Sequence, residues 1–228
     1  IFEIEVFEYA SLLFNSLFLS ICAAILTIIL GVFLVNTYIT SNNIIIRLSV
    51  SISRLGYALP GVVLALGVIV PLVTLDGYLK SIFGQYFNIT IGLIFSGTMI
   101  AIIYAYVIRF LTISYGTIES GFVTLNPDIA AASRVLGQSK YSTLLKIQLP
   151  ILKPALIMSA LLVFVDSMKE LPATLILRPF NFDTLATHVY TYASLSQIEE
   201  AALPALTIVF AGLLPIILIN RELVRNKN

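Results

Sequence analysis

The chain has 228 residues, of which 59% are hydrophobic and 11% charged, and its mean hydropathy is +1.01. Soluble globular domains carry roughly a quarter of their residues as charged side chains, so this composition excludes an ordinary soluble domain and indicates an integral membrane protein. The net charge of +1 suggests no nucleic-acid partner, and the single cysteine, Cys22, excludes an internal disulfide and is interpreted as packing.

Five apolar stretches are long enough to cross a bilayer, since a hydrocarbon core about 30 Å thick needs around 20 helical residues. They are continuously apolar rather than alternating, which favours helices over transmembrane strands. We therefore predict an all-α membrane protein, a polytopic bundle of about five transmembrane helices, with residues 1–228 forming one transmembrane domain. The predicted spans are 11–37, 55–75, 89–113, 154–170 and 201–220.

The basic residues predict the orientation, because short cytoplasmic loops collect Lys and Arg. Ten of the 13 basic residues follow spans one, three and five, which places those segments in the cytoplasm: Arg47, Arg54, Arg109, Arg134, Lys140, Lys146, Lys153, Arg221, Arg225 and Lys227. The opposite face is mostly acidic: Glu3, Glu5, Glu8, Asp76, Glu170, Asp183, Glu199 and Glu200, with Lys80, Lys169 and Arg178. The amino end is therefore predicted outside and the carboxyl end in the cytoplasm.

A long predicted cytoplasmic stretch follows the third span and contains the loop 126–150. Asn126-Pro127-Asp128 predicts a helix start, since Pro suits the first turn and Asp complements the positive end of the helix dipole. This first helix is predicted over 128–136. Gly137 is expected to end it in a left-handed conformation, and Ser139 to cap the next helix.

The second predicted helix of loop 126–150 is short and amphipathic. Its apolar face is formed by Tyr141, Leu144, Leu145 and Leu149. Pro150 and Pro154 are expected to end or bend it. Such a helix can dock into a partner protein or lie on anionic lipid, and the residues alone leave both interpretations open.

The spacing within loop 126–150 carries a resemblance. The positions concerned are Ala131, Ala132, Ser133, Gly137, Ile147, Leu149 and Pro150. They resemble the cytoplasmic motif of permease subunits of binding-protein-dependent ABC importers, written EAA, three residues, G, nine residues, I-x-L-P. The resemblance implies a type I importer fold in which this loop is a coupling helix docked on a separate ATP-binding subunit. It departs from the family at Ala131, where the motif has Glu, and at Ser133, where it has Ala.

Three further stretches are similar to ferric-iron permeases. They are Tyr57-Ala58-Leu59-Pro60-Gly61, Arg109-Phe110-Leu111 and residues 163–190, VFVDSMKELPATLILRPFNFDTLATHVY. Typical members of that family carry two such halves in tandem. We expect this chain to correspond to the carboxy-terminal half and to be preceded by at least one further helix.

The resemblance implies the permease subunit of an ATP-driven importer in a bacterial inner membrane, with ferric iron as substrate. The expected partners are ATP-binding cassette subunits, a substrate-binding protein, a second permease half, fused or separate, and the lipid bilayer. No G-x-x-x-x-G-K-[ST], H-E-x-x-H or G-x-S-x-G motif is present, so we expect neither an enzyme nor a cofactor.

Two alternatives remain open at this point. The substrate could be thiamine, sulfate or a polyamine, or the chain could be a secondary transporter that works without ATP. A secondary transporter is expected to place ionisable residues at mid-membrane depth, and spans one, two, three and five contain essentially none.

The end of the fourth span is charged and supplies the candidate translocation or gate residues Asp166, Lys169, Glu170 and Pro172. The alternative interpretation is a local Asp166–Lys169 pair at a helix end. The following stretch, 171–200, is too polar to span and is predicted to face outward. It contains the only histidine, His188. We expect no metal site in this chain, because ferric iron would be chelated by the binding protein and passed through.

Overall fold

The computed structural model describes residues 6–89 and 92–225, and within those ranges every regular element is a helix. The first half forms α1 (Val6–Thr40), α2 (Ile44–Ser53), a 3-10 turn (Gly56–Ala58), α3 (Gly61–Phe87) and α4 (Met99–Val123). The second half forms α5 (Pro127–Val135), α6 (Lys140–Thr143), a π-helical turn (Leu144–Gln148), α7 (Leu149–Ile151), α8 (Lys153–Met168), α9 (Pro172–Leu177), α10 (Leu185–Ser194) and α11 (Ile198–Arg225).

Three of the described helices, α1, α3 and α4, are long and apolar enough to cross a membrane, and there are four if a bent pair counts as one span. That pair is Lys140–Ile151 and Lys153–Met168, which meet at 74°. The second and third spans differ from their predicted ranges, since α3 continues to Phe87 and α4 begins at Met99. The reason is local, because Thr98 caps α4 by accepting a hydrogen bond from the Ile100 N–H.

The core of the bundle is built around α4. This helix packs against α1 and α8, and α3 packs against α4 and α9. One buried cluster joins these helices through Leu19, Leu64, Ala105, Tyr106 and Val163. A second cluster, named here the lower cluster, joins α1 and α4 to loop 126–150 and contains Val35, Val50, Tyr115, Ile118, Phe122, Leu144 and Leu152. The loop is therefore rooted in the same core as the apolar helices.

The 3-10 turn before α3 approaches the backbone of α4 very closely. A Cβ at Gly56 would lie 1.9 Å from the carbonyl oxygen of Ile108, which no side chain could tolerate. Thr112 Oγ1 reinforces the contact by donating to the carbonyl of Arg54 at 2.6 Å. The chain leading into α3 is thus fixed against the middle of α4.

Two parts of the charge-based assignment are corrected by the fold. The charge pattern predicts Arg109 and Glu170 on opposite faces, yet Arg109 Nε lies 3.2 Å from Glu170 Oε2, so the two residues share one depth. The long apolar helices also contain ionisable residues. Asp76 lies in α3, beyond the predicted end of the second span, and α4 contains both Arg109 and Glu119. Glu3, Glu5 and Lys227, also used in that assignment, lie outside the described residues.

Candidate functional site

Loop 126–150 has the two-helix form that local sequence signals predict. Asn126 caps α5, its side chain accepting a hydrogen bond from the Asp128 N–H at 2.9 Å. Gly137 has φ +79°, the left-handed conformation expected after the first helix. Ser139 then caps the second helix through a 3.1 Å bond from the Ser142 N–H. These three local predictions are confirmed.

The second helix of the loop bends between Pro150 and Pro154, the two residues expected to end or bend it. It passes through the π-helical turn 144–148 and continues to Ile151, and the 74° bend occurs at Leu152 before α8 begins at Lys153. Pro150 follows the π-helical turn within this continuous helical run, where its ring nitrogen cannot donate a backbone hydrogen bond to the preceding turn. The bend falls at Leu152, which is buried in the lower cluster.

A buried hydroxyl pair clasps the two helices of the loop together. Ser133 and Thr143 lie ten residues apart in sequence, with their oxygens 2.8 Å apart. Thr143 Oγ1 also donates to the carbonyl of Ser139 at 3.0 Å, so Ser133 is the donor in the pair. The importer motif has Ala at this position. Here the Ser133 hydroxyl bonds Thr143 and so connects the two helices of the loop.

The outer surface of the loop exposes large apolar side chains. Val135 is 89% exposed, Leu136 80% and Tyr141 71%, whereas Leu144 is buried. Ala131 and Ala132 are also exposed, and Ile147 and Leu149 are half-buried. The loop therefore presents an apolar surface around Gly137 while its other side is anchored in the lower cluster, an arrangement suited to docking on a protein partner.

A second candidate site forms where the stretches similar to ferric-iron permeases converge. Arg109 on α4 pairs with Glu170, which follows α8, and its Nη1 donates to the carbonyl of Leu59 at 3.1 Å. The side chain of Glu170 is 7% exposed, and that of Arg109 19%. The Nε–H is not aimed well enough at the carboxylate for a hydrogen bond, so charge holds this contact. Nothing in the sequence indicates this pairing, because the two partners lie 61 positions apart in the chain.

Hydroxyl groups complete the surroundings of the Arg109–Glu170 pair. Tyr106 Oη lies 2.6 Å from Thr174 Oγ1 on α9, and Thr174 donates to the Glu170 carbonyl at 3.0 Å. Glu170 also accepts a 3.4 Å bond from the Ala173 N–H, the residue after Pro172 at the start of α9. The pair thus ties together α4, α9 and the turn after α8.

Asp166 and Lys169 form the local pair considered as the alternative to a translocation role. Lys169 Nζ lies 2.8 Å from Asp166 Oδ1, and the lysine side chain is 62% exposed. Tyr57 donates to Asp166 Oδ2 at 3.4 Å. Of the four candidate gate residues, only Glu170 is held in the interior by a distant partner. A gate role for these residues stays a prediction.

A carboxylate on α3 organises the connection to α4. Asp76 is 3% exposed and accepts hydrogen bonds from the backbone N–H groups of Ile94, Phe95 and Ser96, and from Ser96 Oγ at 2.6 Å. Three backbone donors and a hydroxyl satisfy this buried acid, which explains how it can lie within a long apolar helix. From the sequence alone, Asp76 is predicted only as a charge on the outer face, and its role in holding this connection is not visible.

His188 lies on α10, in the stretch predicted to face outward. It is 5% exposed, and its ring is tilted by 36° against the ring of Tyr192, with 4.4 Å between the ring centroids. Burial lowers its pKa, with Glu8 and Glu200 acting in the opposite direction. Arg178 pairs with Asp183 in the preceding loop. Within the described part of the chain, no group of three or more His, Cys, Asp or Glu residues is arranged to hold a metal ion.

Two solved transporters share the arrangement of these helices. The MetNI methionine ABC transporter in inward-facing conformations matches with a TM-score of 0.70 and 14% identity, covering 100% of both chains. A bacterial alginate ABC transporter, in complex with an alginate pentasaccharide-bound periplasmic protein, matches with a TM-score of 0.73 and 14% identity, covering 95% of this chain and 78% of that one. These likenesses establish the fold.

Sequence comparison points to permeases. The ferric transport system permease protein FbpB of Actinobacillus pleuropneumoniae is 33% identical over 195 residues, which is 82% of this chain and 27% of that protein. The Fe(3+)-transport system permease protein FbpB 2 of Haemophilus influenzae is 28% identical over 217 residues, covering 94% of this chain and 39% of that protein. No family model matches.

The chain is similar to ABC transporter permeases in both sequence and fold. With its apolar helices, it is a multi-pass inner-membrane protein. It spans between about a quarter and two fifths of the length of the two FbpB relatives. The predicted helical bundle and its resemblance to importer permeases are thereby confirmed.

Proposed function

We propose that this permease is the membrane-spanning unit of an ATP-driven importer, and that loop 126–150 receives the motion of a separate ATP-binding subunit. The observation that carries this proposal is the exposure of Val135, Leu136 and Tyr141 around Gly137. An exposed apolar surface of this kind, held on a clasped and anchored loop, is suited to a cleft in a protein partner.

The proposed substrate is ferric iron, delivered by a substrate-binding protein on the opposite side of the membrane. The similarity to two ferric permeases over most of this chain supports iron. The chain itself offers no cluster of metal ligands among the described residues. We therefore infer that it passes the iron on and does not store it.

A second permease half, fused or separate, is part of the proposal. The described part of α3 packs mainly against α4 and α9, and its opposite side exposes Val62, Val63, Leu66, Val70 and Val73. In a two-half permease this face would meet the other half or lipid. Alternation of the halves between two packings would then open the pathway to each side in turn.

The proposal is tested at Gly137, using two substitutions that differ in one physical property. Asn tolerates a left-handed backbone far better than the β-branched Val, and a Cβ at this position meets no atom within 4 Å. In vesicles containing the permease, its ATP-binding subunit and the iron-loaded binding protein, we expect Gly137→Val to abolish ATP-driven uptake. Gly137→Asn should retain most of it.

The same assay separates the alternatives. Normal uptake by Gly137→Val would contradict a coupling role for the loop. Uptake driven by an ion gradient without ATP would indicate a secondary transporter. ATP-driven uptake of thiamine, sulfate or a polyamine, with no uptake of ferric iron, would reject the substrate and keep the importer.

A further inference from the structure

A cavity of about 470 Å³ lies on the inner side of loop 126–150, away from the exposed apolar surface. Its walls come from the end of α1, the end of α4 and the two helices of the loop. The volume falls within the range of about 300–1,000 Å³ typical of small-ligand sites. The cavity is therefore large enough to accept more than a few water molecules.

The charges that line this cavity are of one sign. Arg134 on α5 and Lys140 on α6 both line it, and among the residues that the structure describes no Asp or Glu does. Neither cation takes part in an ion pair with a described residue; Arg134 Nε donates only to the carbonyl of Ala130, at 3.2 Å. Asn36 and Asn126 add amide groups that can donate further hydrogen bonds. This lining favours an anion.

The opposite wall of the cavity is apolar, with Phe122 and Leu125 at the end of α4 and Ile39 at the end of α1. Both α1 and α4 are long and apolar enough to be membrane spans, and they end at Thr40 and Val123. The cavity thus lies at the ends of two apolar helices, with an apolar wall beside two cations. Basic pockets between transmembrane helices at such a surface suit anionic lipid headgroups.

We propose that this cavity binds the phosphate group of an anionic phospholipid, with Arg134 and Lys140 contacting the phosphate and the Phe122 side contacting the glycerol and upper acyl chain. The two cations lie three residues on either side of Gly137, one on each helix of the loop. A phosphate held between them therefore bridges the turn from within. The lipid braces the docking loop against α1 and α4 while the outer face of the loop stays free.

The test compares two double variants that remove the same charge. Arg134→Gln/Lys140→Gln removes the cavity cations, and Arg47→Gln/Lys153→Gln removes two exposed cations that do not line the cavity. Each full chain is placed in bilayer discs of equal phosphatidylglycerol and phosphatidylcholine, and the retained lipid is counted by native mass spectrometry. We expect the unmodified chain and the control variant to retain one phosphatidylglycerol with a preference of about tenfold or more. The cavity variant should lose that preference.

Hydrogen exchange at the Gly137 and Gln138 amides gives an independent readout. Phosphatidylglycerol should slow this exchange in the unmodified chain and leave the cavity variant unchanged. Equal lipid retention by the cavity variant would overturn the proposal, as would an equal loss by the control, since that would mean general surface charge. Protection by inorganic phosphate in phosphatidylcholine discs would overturn the lipid as the source of the phosphate. Loss of the ATP-binding subunit from the cavity variant, with unchanged lipid retention, would assign the cations to that protein.

Discussion

Arg109 on α4 and Glu170 after α8 form an ion pair in the interior of the bundle, with 3.2 Å between Nε and Oε2. Glu170 also binds the N–H of Ala173, and Arg109 the carbonyl of Leu59, so one pair of charges connects three distant parts of the chain. The pair matters for stability mainly because each charge offsets the cost of burying the other, and either charge alone would be buried without a partner.

Removing one partner of this pair should destabilise the protein strongly. We expect Arg109→Met or Glu170→Leu to lower the free energy of unfolding by about 3–5 kcal/mol. The double variant should recover most of that loss, because it leaves no unpaired charge. Thermal unfolding in detergent provides the measurement. Lys169→Met is the matched control, since Lys169 is 62% exposed and its pair with Asp166 should contribute less than about 1 kcal/mol. A double variant as unstable as the sum of the singles would contradict this interpretation.

Gly56 and Gly67 offer a direct contrast between a packed and an open glycine. A Cβ at Gly56 would collide with the Ile108 carbonyl, whereas one at Gly67 meets nothing within 4 Å. Gly56→Ala is expected to destabilise the protein by about 3 kcal/mol or more. Gly67→Ala should be neutral or stabilising by up to about 1 kcal/mol through helix propensity. Recovery of folded protein from membranes and its thermal unfolding would show the difference, and similar behaviour of the two variants would refute the close approach.

A double-mutant cycle should measure the interaction energy between the hydroxyl groups of Ser133 and Thr143. Ser133→Ala removes the donor and should cost about 1 kcal/mol. Thr143→Val leaves a buried hydroxyl unpaired and should cost more, about 1–3 kcal/mol. Hydrogen exchange across 134–142 reports the local stability. The combined variant should cost less than the sum, and Ser142→Ala, which removes an exposed bond to Gln138, should stay within about 0.5 kcal/mol. Strict additivity would mean that the two hydroxyls do not interact.

We expect the protein to lose stability in mild acid because of the buried His188. Burial lowers its pKa in the folded protein, so the unfolded chain takes up the proton first as the pH falls. The stabilising contribution is complete above the unfolded value of about 6.5 and is lost progressively as the pH falls towards the lowered folded pKa. The Gln side chain in His188→Gln does not titrate in this range. The unfolding temperature of this variant should therefore change less between pH 7 and about 5 than that of the unmodified protein. A parallel pH dependence in both proteins would rule out His188 as the source.

The local features of loop 126–150 could be predicted from sequence, because caps and left-handed turns depend on residues a few positions apart. Asn126, Gly137 and Ser139 act as their types suggest. Long-range relationships could not, since nothing in the sequence shows that Arg109 and Glu170 meet or that Asp76 binds the chain before α4. Pro150 and Pro154 predict a bend in this segment but not the residue at which it occurs, for a related reason. Burial of Leu152 in the lower cluster, a tertiary effect, accompanies the actual turning point.

Because of the bend at Leu152, a rotation of loop 126–150 would swing the far end of α8 through a larger distance. Loop 126–150 joins one end of this 16-residue helix, and Glu170 follows the other end two residues after Met168. A helix of that length is about 24 Å long, so a rotation of about 10° at the loop would carry the far end by about 4 Å, more than the length of the ion pair it bears. A partner that moves loop 126–150 would therefore move α8, and with it Glu170 and its contact with Arg109 at the other end of the helix.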